Sequence, residues 1–86
     1  MPHYLTQHTL ACLTRQGAEE LAQQLVAAEG ITPLRTLFNM VEGKMVVEFE
    51  APNRETLEGW LKGHDFHFDY MFRIEYEFAD GRLTPV

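Results

Sequence analysis

From residue 66 to residue 78 the chain reads FHFDYMFRIEYEF: every even position is aromatic or Ile, and the odd positions hold His67, Asp69, Met71, Arg73, Glu75 and Glu77. A period of two sustained this long belongs to extended chain with one apolar face, because only a strand sends successive side chains to opposite sides. At roughly 3.3 Å per residue the run would reach about 43 Å, more than twice the usual strand. Part of it, Phe66 to Asp69, therefore has to be loop or has to leave the parent sheet. An overhanging strand beside an open face is the feature that sheet-to-sheet dimers use.

The rest of the chain repeats one order twice: strand, helix, strand. His3 to Leu10 mixes Tyr, Leu and Thr without helical spacing and reads as a strand, with Tyr4, Thr6, His8 and Leu10 on one side and His3, Leu5, Gln7 and Thr9 on the other. Thr14 caps a helix from about Arg15 to Glu29, in which Ala18, Leu21, Ala22, Leu25 and Ala28 fall near helical spacing and which Gly30 stops. After Pro33, LRTLFNMVEGKMVVEFEA reads as two strands around a tight turn at Glu42 and Gly43. With Val41 opposite Lys44, Met40 pairs with Met45, Phe38 with Val47 and Thr36 with Phe49. Asn53 caps a second helix with Leu57, Trp60 and Leu61 as its stripe, ending by about Lys62 with Gly63 as its stop. The long strand follows, then a turn at Asp80 and Gly81 and the short tail RLTPV.

Strand, helix, strand, strand, helix, strand over residues 1–86 predicts one domain of ferredoxin-like α+β class, an antiparallel sheet in the order 4-1-3-2 with right-handed crossovers that put both helices on one face. In that frame the helices cover Phe38, Met40, Val47, Phe49, Phe72, Ile74 and Tyr76. The odd residues of the last strand point away from them, together with the mixed face of the hairpin, which includes Arg35, Leu37, Lys44, Val46 and Glu48.

Composition sets bounds on partners. Eighty-six residues with 45% apolar content can bury a core, yet the domain is small enough that pairing with a second copy adds stability. Seven Lys and Arg against thirteen Asp and Glu leave a net charge of -6 with no basic cluster, which argues against nucleic acid and anionic membrane as partners. One cysteine cannot close an internal disulfide, and MPHYLTQHTL has neither the basic nor the apolar region of a secretion signal. No run approaches the roughly 18 apolar residues of a membrane span, so a cytoplasmic protein is expected. Glycine patterns for nucleotides, G-x-S-x-G, H-E-x-x-H and C-x-x-C are absent.

The opening MPHYLTQHTL, the stretch EGKMVVEFEAPNRETLEGWL and the closing RIEYEF resemble the small dimeric ferredoxin-like (α+β barrel) proteins. Within them the chain is most similar to a little-characterised bacterial family for which nickel binding has been proposed. There a hairpin strand ends in an EAPN or EAPD turn, here Glu50, Ala51, Pro52 and Asn53. The resemblance implies a homodimer whose two sheets face each other, with a ligand or metal site between them.

Several residues are candidates for chemistry. If the even side of strand one faces outward, His8 has Glu48 on one flank and Glu75 or Glu77 on the other, and one imidazole with two carboxylates suits Ni, Zn or Fe(II). The same set also reads as a charged interface or a solvated face. HDFHFD supplies His64, Asp65, His67 and Asp69, either as weak metal ligands or as a polar approach to the last strand, and His3 can join either group. Cys12, just before the first helix cap, reads as a nucleophile, a soft ligand or a packed thiol. Phe66, Phe68 and Phe78 lie at the ends of the aromatic stripe and are expected at a dimer contact or pocket mouth.

Three functions fit these residues. The first is a small homodimeric protein binding a divalent transition metal such as nickel or zinc. The second is a cofactor-free isomerase or monooxygenase acting on a small organic substrate, with His8 as general base, Glu48 or Glu75 orienting it and the aromatics enclosing the substrate. The third is a purely structural dimeric partner of another protein.

Overall fold

The computed structural model describes residues 1–11 and 13–86; the readings of Cys12 lie outside them. The chain runs β1 (His3–Thr9), α1 (Arg15–Val26), β2 (Thr32–Asn39), β3 (Lys44–Glu50), α2 (Arg54–Gly63), β4 (Tyr70–Ile74), β5 (Tyr76–Ala79) and β6 (Arg82–Pro85). It is an α+β structure. Four strands form an antiparallel sheet ordered β2-β3-β1-β4, which from its other edge reads 4-1-3-2, and β5 and β6 form a separate two-stranded ribbon.

Both helices start where a side chain takes a free amide. Thr14 Oγ1 accepts from the Gly17 amide at 3.0 Å, and Asn53 Oδ1 from the Thr56 amide at 2.7 Å. α1 ends at Val26 rather than near Glu29, because the Ala28 amide turns to the Leu25 carbonyl in a tighter turn. α2 includes Gly63, and its stop is Asp65: this residue sits at φ 57, and the Phe66 amide reaches back to the Leu61 carbonyl at 2.8 Å. That closure delivers Phe66 beneath Trp60, the two rings stacked 5.6 Å apart.

One face of the sheet carries the core. Tyr4, Thr6 and His8 of β1, Met45, Val47 and Phe49 of β3 and Met71 of β4 are buried against Leu25, Leu57, Leu61, Ile31 and Phe66. Each large apolar side chain fully removed from water there contributes roughly 1.5 to 3 kcal/mol. Both helices lie on this side. Among the described residues no layer lies over the other face of the sheet, where Leu37, Tyr70 and Phe72 are exposed.

Four expectations need correcting. The hairpin pairs Phe38 with Met45 and Thr36 with Val47, two residues off the expected register, because Asn39 rather than Val41 faces Lys44. A four-residue loop results, held where the Asn39 side chain accepts from the Glu42 amide at 2.9 Å and the Leu10 amide donates to the Gly43 carbonyl at 2.7 Å. A shift of two keeps each side chain on its face, but Met40 moves out of the sheet into the loop, 41% exposed.

The second correction is one of phase. β4 places Met71 opposite Thr6 and Arg73 opposite Tyr4, on the helix side, so Tyr70, Phe72 and Ile74 point to the open face. The Asp69 amide donates to the Gln7 carbonyl at 2.6 Å and thereby fixes Tyr70 opposite Gln7, after an irregular loop in which the even positions Phe66 and Phe68 still pack inward. Third, Tyr76 belongs to the separate ribbon. Fourth, RLTPV is no loose tail: most of it is β6, folded back on β5 by Asp80 at φ 53 and Gly81 at φ 79, the backbone of a type I′ turn. Among the described residues no helix is long and apolar enough to cross a membrane.

Candidate functional site

His8 faces the helices and is 1% exposed. Its place follows from where β4 begins. Pairing between β1 and β4 extends only to Gln7 and Tyr70, so His8 is paired with Met45 of β3 on one side and on the other has the loop from α2 instead of a strand. His8 Nδ1 lies 2.7 Å from the His67 carbonyl and Nε2 lies 2.7 Å from the Thr6 hydroxyl. A carbonyl only accepts, so Nδ1 carries the proton, and Nε2 accepts from the buried hydroxyl. Burial pulls the imidazole pKa below its ordinary 6.5, opposed by the His67 bond and by Asp69, and the ring is neutral near pH 7. Both nitrogens are engaged. Neither is free to ligate a metal or take a substrate proton; the ring instead ties the α2 to β4 loop to the sheet where strand pairing has not started.

The structure therefore separates the expected trio. Glu48 stands opposite Leu5, on the far face of the sheet from His8, and Glu75 occupies the break between β4 and β5, exposed, its carbonyl taking the Val86 amide at 3.0 Å. The HDFHFD residues also spread out. His64 stacks on Trp60 with ring centroids 4.1 Å apart and donates from Nδ1 to the Trp60 carbonyl at 2.9 Å, whereas His67 is exposed. Asp69 joins another group, accepting from the Thr9 hydroxyl at 2.6 Å with the Lys44 ammonium 4.0 Å away. These partners, the hydroxyl first, hold its carboxyl below the usual 3.8. Among the described residues no three His, Cys, Asp or Glu side chains gather as a metal-holding group. Phe66 is core, Phe68 is half-buried against it, and Phe78 is 72% exposed.

The open face of the sheet has its own order. Strand register lays Arg35, Glu48, Leu5 and Phe72 in one row, Leu37, Val46, Gln7 and Tyr70 in the next, and Glu50, His3 and Ile74 in a third. Leu37, Tyr70 and Phe72 are each about half exposed. At one end His3 Nε2 meets Glu50 Oε1 at 3.1 Å. Beside that pair a hollow of about 350 Å³ is lined by His3, Arg35, Glu48, Ile74, Tyr76 and Glu77. The imidazole standing among carboxylates on the uncovered side is thus His3, which the odd parity of β1 puts there. A larger hollow of about 630 Å³ between the ends of α1 and α2 is lined by Gln24, Ala27, Ala28, Glu29, Trp60 and His64, and brings together no comparable set.

Comparison of the chain with known protein families, with curated proteins and with solved structures finds no match.

Proposed function

We propose that this protein is a small binding module that works as a homodimer of the ferredoxin-like, dimeric α+β barrel type, with the two open sheet faces meeting around a ligand. One observation carries the reading: β4 turns its more apolar side, Tyr70, Phe72 and Ile74, away from the helices and gives Met71 and Arg73 to the core side. A strand that must satisfy only its own core does the reverse. The apolar rows left open, with Leu5, Leu37 and Val46 beside them, form a patch of the kind that marks an interaction surface.

The ligand that best suits the donors is a divalent transition metal such as nickel or zinc. His3 and Glu50 are already in contact on the open face and Glu48 and Glu77 line the adjoining hollow, a nitrogen and oxygen set that borderline metals accept. One copy offers too few convergent donors, and a twofold pairing doubles them. The test is elemental analysis combined with mass in solution after incubation with mixed divalent metals at neutral pH. A dimer carrying stoichiometric metal that His3→Ala loses is the expected result. A metal-free dimer removes the metal and leaves the hollow for an organic ligand, and a monomer removes the whole reading.

A further inference from the structure

β4 leaves the sheet at Glu75, and one residue later the chain becomes β5. The ribbon pairs Tyr76 with Pro85, Glu77 with Thr84, Phe78 with Leu83 and Ala79 with Arg82. This register sorts its sides. Tyr76, Phe78, Leu83 and Pro85 share one, and Glu77, Ala79, Arg82 and Thr84 share the other. Among the described residues nothing covers the apolar side: Tyr76 is 57%, Phe78 72% and Leu83 64% exposed, and no residue of either strand is buried. An isolated two-stranded hairpin is marginal in water, so an amphipathic one projecting from a domain calls for a surface to lie on.

We propose that the β5–β6 hairpin is a dimerisation arm that each copy lays across the open sheet face of the other; this rests on the homodimer reading above. Continuity points to it. The even-numbered stripe of the open face, Tyr70, Phe72 and Ile74, runs on into Tyr76 and Phe78, and Ile74 and Tyr76 line the same hollow. Area agrees. With aromatic side chains of roughly 150 to 250 Å², the exposed parts of the arm and of Leu37, Tyr70 and Phe72 come to on the order of 600 Å² per copy, near the ~800 Å² per partner of a stable interface.

A second copy fits better than a foreign protein because each chain has one sheet face without a cover and one arm without a core. A twofold exchange satisfies both and closes at two. The apolar side of the amphipathic arm matches the apolar rows that the chain itself leaves open.

The test compares full-length chains by sedimentation over a concentration series. Phe78→Asp combined with Leu83→Asp loads the apolar side with charge, while Arg82→Ala combined with Thr84→Ala alters the polar side. These side chains are exposed, so far-UV circular dichroism should stay at the wild-type signal for every variant. A wild-type dimer that the Asp pair weakens by roughly a hundredfold or more, the size of a hot-spot loss, with the polar-side pair near wild type, supports the arm. A dimer whose Kd the Asp pair leaves unchanged, or that both pairs weaken equally, overturns the arm and leaves the homodimer standing. A wild-type monomer throughout overturns both.

Discussion

Replacing His8 by Leu keeps a side chain of similar bulk and removes a donor and an acceptor at once. The His67 carbonyl then loses the Nδ1 proton, and the Thr6 hydroxyl, 0% exposed, loses the nitrogen it donates to. A buried polar group left without a partner costs about 1 to 3 kcal/mol, so two such groups, one of them nearer the surface, cost roughly 2 to 4. The extra apolar surface of Leu offsets part of this, which leaves a net loss of about 2 to 3 kcal/mol. For a domain of this size that is a fall in Tm of roughly 10 to 20 °C. Urea unfolding at one fixed protein concentration reads it, since the stability of the proposed dimer would depend on concentration, and the midpoint should drop with an unchanged slope. His8→Gln is the control: its amide can donate to His67 and accept from Thr6, so it should lose far less. The pH dependence follows with its sign. The folded pKa lies below 6.5, so below that pH the unfolded chain binds more protons; wild-type stability holds above pH 6.5 and falls as pH drops through 6.5 toward the folded value. His8→Gln should lack this part of the fall. Wild-type stability in His8→Leu, or an undiminished fall in His8→Gln, would refute the loop-holding role.

Other consequences are simpler to check. Asn53→Ala removes the α2 cap and should lower stability by about 1 kcal/mol in the same urea assay. Gly43→Ala and Gly30→Ala both put a side chain at positive φ, which costs about 1 kcal/mol, but at Gly43 the new Cβ would also lie 2.7 Å from the Leu10 carbonyl oxygen while Gly30 has open space, so thermal unfolding should show the larger loss at Gly43. Asp69→Asn removes a carboxyl held below 3.8 by Thr9 and Lys44; such a group stabilises above its unfolded pKa and loses that as pH falls below it, so the variant should show a shallower acid limb in unfolding against pH.

Much of this architecture is legible in the residues, and the parts that are not have identifiable causes. Thr14 and Asn53 mark both helix starts because a short oxygen-bearing side chain before an apolar periodic run has little else to do. Alternation in FHFDYMFRIEYEF establishes a strand with two unlike sides, but it does not say which side the core takes. That was decided by the turn at Asp65 and by the bond from Asp69 to Gln7, contacts between segments far apart in sequence. The same ladder set β1 with Thr6 and His8 inward, which removes His8 from the carboxylates and leaves His3 with Glu50. One missed element had a readable signal: Asp80-Gly81 between YEFA and RLTP is the residue pair that a type I′ hairpin favours, and it marks β6 as a strand.

The pairing of open sheet faces is the central claim, and the mass of the protein in solution addresses it most directly. Sedimentation equilibrium of the full chain should give twice its 10.0 kDa, with Phe72→Lys combined with Leu37→Lys shifting the mass toward the single-chain value while the fold persists. A wild-type chain that stays at 10.0 kDa at every concentration would contradict it.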